Sequence, residues 1–177
     1  TAAAGGDVAG NGRLSAEERG RIALELCKRR GVLVSRADEV LGVLEEPAIV
    51  SCAAKGDVGG LGLLLSMGCD VDARAKDGST ALHRASQMGY FESVRVLVDA
   101  GATVGAVDGI ERSSLHIACE MGHTQVVRFL LTQGGKALTL KQTVYGETCA
   151  HVSARMGHLG ALRLVCEAGG EDLLLIE

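Results

Sequence analysis

The chain has 177 residues and a formal net charge of −4, with 47% hydrophobic and 23% charged residues. That is the composition of a folded domain rather than a disordered chain, and it lacks the basic excess of a general nucleic-acid binder. Aromatic residues are 2% of the total and Trp is absent, so there is no aromatic platform for stacking bases or sugars.

No apolar run approaches the roughly 18 residues of a membrane span, and no signal peptide is visible. Position 1 is Thr, so the chain is expected to be a fragment or a processed product. The first element in chain order is DVAGNGRLSAEE, residues 7–18. It resembles a degenerate EF-hand calcium loop. Asp7, Asn11 and Glu18 fall on ligand positions, Gly12 on the sharp turn, and Ser15 on a further oxygen position. Ala9 offers no oxygen where a ligand is required, which weakens any site set by ligand charge and rigidity. Ser15 and Glu18 also read as a capping box that starts the next helix. No metal is expected; calcium at Asp7, Asn11 and Glu18 is the alternative.

GRIALELCKRRG, Gly20 to Gly31, and SRADEVLGVLEE after it read as a helical pair. Its two glycines have the spacing of Gly78 and Gly89, and Leu24 and Cys27 match Leu82 and Ala85. Glu25 stands where His83 stands, and no hairpin follows. The pair is a degenerate half-repeat whose Arg and Lys run is a solvated face.

From Pro47 the chain repeats itself. His83, His116 and His151 are separated by 33 and 35 residues, and so are Gly89, Gly122 and Gly157. Gly56 lies another 33 residues before Gly89. In each unit a Thr or Ser (Thr80, Ser113, Thr148) suits a helix N-cap. Small residues follow (Ala85 and Ser86, Ala118 and Cys119, Ser153 and Ala154), and a glycine ends the helix. A second helix carries apolar residues at i, i+3, i+4: Val94, Leu97 and Val98; Val127, Leu130 and Leu131; Leu162, Val165 and Cys166. The first unit starts at Pro47, read as a first helical residue, and has Val50 at the His position. The third has two extra residues in its hairpin, GGKALTLKQTVYG, and the fourth ends in an incomplete hairpin.

A period near 33 with T-x-L-H, an Ala pair, G-H and a Leu-rich end resembles the ankyrin-repeat family. The resemblance implies an all-α solenoid of stacked helix-turn-helix units with β-hairpin tips and an N-terminal helical cap. The expected division is 1–46 for the N-terminal segment and 47–177 for the repeat domain, in units 47–78, 79–111, 112–146 and 147–177. It also implies that His83, His116 and His151 tie each turn to the neighbouring unit.

The six cysteines fall on packing positions of the repeat, where Cys acts as a small hydrophobe. With no C-x-x-C pair, neither metal nor disulfide is expected, and a reducing intracellular compartment is favoured, cytoplasm or an organelle after removal of a targeting segment. Cys149 and His151 are explained by the repeat without catalysis, so no enzyme and no cofactor are expected. Arg95, Arg128 and Arg163 recur on the outer helix and read as a solvated convex face.

Function is expected to be recognition of a protein partner, with no nucleic acid and no membrane span. By resemblance, the contacts lie on the tips: Arg74, Lys76, Asp77 and Ser79; Val107, Ile110 and Arg112; Gln142, Val144, Tyr145 and Glu147. The ends of the inner helices add Gln87 and Met88, Glu120 and Met121, and Arg155 and Met156. Two other readings remain: a permanent structural subunit of a larger assembly, and a calcium-responsive regulator using the 7–18 loop.

Overall fold

A computed structural model describes residues 47–170. The calcium-loop residues Asp7, Asn11 and Glu18, the helical pair of 20–46 and the tail 171–177 lie outside the described residues. The described residues form eight helices in four pairs: α1 Ala48–Ala54, α2 Val58–Ser66, α3 Ala81–Met88, α4 Phe91–Asp99, α5 Ser114–Met121, α6 Thr124–Thr139, α7 Cys149–Met156 and α8 Leu159–Gly169. The odd-numbered helices pack side by side as an inner layer, and the even-numbered helices as an outer one.

The core is the seam between the layers. Leu61, Leu82, Val94, Leu97, Leu115, Val127, Leu130 and Val165 are fully buried there. Three outer helices contribute an i, i+3 pair to that seam (Leu61 and Leu64, Val94 and Leu97, Val127 and Leu130), while α8 buries Ala161 and Val165 and leaves Leu162 half-buried. Phe91 of α4 meets Phe129 of α6 edge-on at 5.6 Å. Small residues on the inner helices (Ala53, Ala85, Ala118, Cys119) are completely buried, which lets adjacent inner helices approach. Burial is therefore shared between neighbouring units, as in other stacked repeats.

Each inner helix from α3 onward ends on a left-handed glycine, with φ of 72° at Gly89, 74° at Gly122 and 75° at Gly157. The residue after the next unit's turn glycine covers the preceding one. A Cβ on Gly89 would lie 2.6 Å from the His123 ring, and one on Gly122 2.7 Å from His158. The two imidazoles are pinned by Nε2 to the carbonyls of Gln87 and Glu120, both at 3.0 Å.

Three local expectations change. Pro47 is the N-cap rather than the first helical residue; its carbonyl accepts from the amides of Val50 and Ser51 at 2.9 and 3.1 Å. The two extra residues of the third unit do not lengthen its hairpin. They extend the outer helix across a kink at Gly135, whose φ of 58° and ψ of −161° belong to a region essentially reserved for glycine. The helical turn after it buries Leu138 and Thr139.

Among the described residues the tips hold no strand, and their pairing is a single bridge between Val107 and Ser113. They are tight turns, closed from Ala75 to Ser79 at 2.8 Å, and from Asp108 to Arg112 and Thr143 to Glu147 at 3.0 Å. Side chains replace the missing ladder: Asp108 Oδ1 accepts from the amides of Ile110 and Arg112, and Thr143 Oγ1 from Tyr145. Adjacent tips are joined by one amide each, Gly109 to Asp77 O and Val144 to Ile110 O.

Candidate functional site

The inner helices are positioned by reciprocal caps. The side chain of Thr80 accepts from the backbone of His83, and His83 Nδ1 accepts from the Thr80 amide at 3.1 Å. Ser113 with His116 and Thr148 with His151 repeat the arrangement. Because Nδ1 accepts an amide proton, the ring proton sits on Nε2. There it donates to the next tip, His83 to Arg112 O and His116 to Lys141 O, both at 3.1 Å. One histidine thus caps its own helix and holds the neighbouring turn.

Burial pushes the pKa of both rings below the ordinary 6.5, outweighing the hydrogen bonds to Arg112 and Lys141 that favour the cation. The folded rings are neutral, while unfolded histidine titrates near 6.5. Their contribution to stability is therefore full above about pH 6.5 and falls as pH drops through that value. Urea unfolding between pH 7.5 and 5 should show stability decreasing by up to about 1.4 kcal/mol per pH unit for each ring. A His83→Gln variant should show a shallower slope; an identical slope would contradict the assignment.

The tips carry the polar clamps. Arg74 donates from Nη1 to Gly78 O at 2.8 Å and to Val107 O at 2.7 Å, fastening the first tip to the second. Ser79 is buried, and its hydroxyl donates to Asp77 Oδ1 at 2.6 Å. That hydrogen bond holds the Asp77 carboxyl below its usual range. Arg84 reaches the same carboxylate at 3.0 Å. Arg112 pairs with Asp108 at 3.0 Å and with Glu120 at 3.1 Å, and Arg155 with Glu147 at 3.1 Å. The structure therefore brings Arg112, Glu120 and Arg155 together but uses their charges internally.

The apolar residues expected at the site stand differently. Met88, Met121 and Met156 are 49, 41 and 44% exposed, and Ile110, Val144 and Tyr145 are 37, 52 and 74% exposed. Gln87 and Val107 are half-buried, while Lys76, Asp77, Gln142 and Arg155 are exposed. Ile110 and Tyr145 occupy the same tip position as Asp77, two residues after the residue that closes the turn. Between them lies a cleft of about 90 Å³, lined also by Arg112, Val152 and Arg155. Pockets for cofactors and metabolites run roughly 300–1,000 Å³, so this cleft has the scale of a single side chain.

The cysteines separate into two kinds. Cys52, Cys119 and Cys149 are buried, and Cys69 is half-buried. Burial pushes the Cys149 thiol well above its ordinary range beside its hydrogen-bonded neighbour Cys119, and its Sγ faces Leu138 O at 3.9 Å as a donor, so Cys149 is a protonated packing group. Cys166, expected in the apolar stripe, is exposed; among the described residues nothing stacks on the far side of α8. Arg95 and Arg128 are exposed as expected, Arg95 paired with Glu92 at 2.8 Å.

Sequence reasoning did not single out His123 and His158, which cover the turn glycines, nor Asp108 and Lys141, which support the tips. Lys141 Nζ donates to Gly105 O at 2.6 Å. Glu111 was also missed: its φ is 61°, at the position held by Gly78 and Gly146 in the other tips. Aligning the units would have revealed it as a charged residue in a glycine slot.

A family model described as ankyrin repeats, three copies, matches residues 24–108 and 104–175. The chain belongs to the ankyrin-repeat family. A comparison with curated proteins gave no match. Ankyrin repeats mediate protein–protein interaction and are typically non-enzymatic. Both matched segments lie after residue 18, so the calcium-loop resemblance of residues 7–18 is not borne out. In this ankyrin stack no helix among the described residues is long and apolar enough to cross a membrane.

Proposed function

We propose that the stack is an adaptor or scaffold module that binds a protein through a band running from the tips to the ends of the inner helices. One observation carries the reading. Ten large apolar residues are exposed among the described ones, and six of them (Met88, Ile110, Met121, Val144, Tyr145 and Met156) belong to this band. The band recurs from unit to unit, while the residue before each methionine changes from Gln87 to Glu120 to Arg155. A fixed frame with varied neighbours suits recognition of one partner among many. Exposed methionines supply adaptable apolar contact, and Tyr145 is the residue type enriched in interface hot spots.

Replacing Tyr145 and Met121 together by Ala should weaken partner binding by about tenfold or more. Thermal stability should hardly change, because exposed side chains away from the core shift it by about 0.5 kcal/mol or less. The partner captured by the unmodified protein is titrated against both forms, alongside thermal melts. Parallel loss of binding and stability would make these residues packing groups and sink the site.

A further inference from the structure

We propose that the end face of the last unit is a docking surface for the chain's own residues 171–177. They fold back so that the Ile176 carbonyl accepts from Nε2 of His151 and Leu173 enters the seam as Leu138 does. The proposal concerns the end of the stack and does not depend on the band of tips.

The end face carries the groups with which the third unit holds its following chain. His83 and His116 are each 1% exposed, and each donates from Nε2 to the next stretch of backbone, at Arg112 O and Lys141 O. His151 makes the same helix cap, its Nδ1 accepting from the Thr148 amide at 3.2 Å. Yet His151 is exposed, and its Nε2 has no acceptor among the described residues. The register locates the missing acceptor. Units three and four are offset by 35 residues, from His116 to His151 and from Gly122 to Gly157. The same offset carries Lys141 to Ile176 and Leu138 to Leu173.

The backbone is already set for this course. Gly170 stands at φ 61° and ψ −153°, and its counterpart Gly135 at φ 58° and ψ −161°. That region is essentially reserved for glycine, and two consecutive units enter it at the same step. After Gly135 the chain buries Leu138 and Thr139 and brings Lys141 O to His116. A Cβ on Gly134 would overlap the Leu138 side chain, so that leucine lies directly on the glycine backbone; Gly169 leaves the same room for Leu173. The polarity of the segment agrees residue by residue. Glu171 and Asp172 fall where Lys136 and Ala137 are exposed, Leu173 and Leu174 where Leu138 and Thr139 are buried, and Leu175 where Leu140 is half-buried. A segment tethered one residue from the face meets it at about millimolar effective concentration, an advantage over any second copy. Closure of this kind serves a solenoid, whose terminal unit lacks a neighbour on one side.

The test compares the full chain with a form ending at Gly170, by imidazole-proton NMR near neutral pH and by thermal melts. In the full chain the Nε2 proton of His151 should give a slowly exchanging signal like those of His83 and His116. In the shortened form that signal alone should be lost. The melting midpoint should fall by about 4 °C or more, the effect of exposing one buried leucine in a chain of this size. Leu173→Glu should reproduce both losses at full length, and so should Gly170→Val, which bars the turn. Asp172→Ala, at an exposed position of the register, should change neither. The absence of a His151 signal from the full chain, or a signal and midpoint indifferent to shortening, overturns the proposal. Equal losses from Asp172→Ala and Leu173→Glu overturn it as well. So does a His151 signal that fades on dilution as a dimer dissociates, which would make a second copy the occupant.

Discussion

Truncating Leu130 to Ala should lower the unfolding free energy by about 2–5 kcal/mol. Leu130 lies at the centre of α6, is fully buried, and belongs to the seam that joins the two helical layers. The loss combines the transfer energy of the missing carbons with the cavity they leave, which neighbouring helices cannot fill without giving up their own contacts. In a stack held by nearest-neighbour burial the damage does not stay local. Urea unfolding followed by circular dichroism should show either a midpoint shifted for the whole transition or a new early step for the units on either side. Leu97, in the same place on α4 and equally buried, should behave alike. A change below about 0.5 kcal/mol, the range of an exposed site, would mean the seam is not where stability resides.

The second large effect is expected at Gly122. Its φ of 74° is left-handed, and a Cβ there would lie 2.7 Å from Nδ1 of His158. Gly122→Ala therefore combines backbone strain of about 1–2 kcal/mol with displacement of a ring that is bonded to Glu120 O at 3.0 Å. Losing that bond adds about 1 kcal/mol, so a total near 2–3 kcal/mol is expected. Gly157 is the built-in control, with φ of 75° and nothing within 4 Å of where a Cβ would stand. Gly157→Ala should cost only the strain. Equal costs at the two sites would show that the imidazole over Gly122 moves aside freely.

The repeat was legible in the sequence because its landmarks are forced by backbone chemistry. A left-handed helix end demands glycine, an N-cap demands Thr or Ser, and a shared seam demands Leu and Val at helical spacing. Those demands leave the same residues at 33- and 35-residue intervals. The third tip was misjudged because a sequence shows that two residues are added but not where the backbone absorbs them. Gly134 and Gly135 look like a loop, yet Gly135 serves as a kink that lets helix resume.

The candidate site was legible only in its apolar half. Met121, Val144 and Tyr145 break the rule that large apolar side chains are buried, and their positions in the repeat pattern alone put them outside the seam. Arg112, Glu120 and Arg155 looked equally available. Their engagement with Asp108 and Glu147 depends on how a tip folds back over its own helix, and a separation of eight residues between Arg112 and Glu120 has no helical signature. Glu111 was hidden for a different reason, since a charged residue on a tip stands out only once the units are aligned and it falls in the slot held by Gly78 and Gly146.

The central claim is that partners meet the band of tips and inner-helix ends rather than the convex outer helices. The measurement that tests it most directly is site-specific photo-cross-linking in an extract of the native source. One form carries a photoreactive phenylalanine at Tyr145, a second carries it at the convex Arg128, and adducts are identified by mass spectrometry. The account predicts a protein adduct from position 145 that is absent from position 128. Adducts from position 128 with none from 145 would place recognition on the opposite face and contradict it.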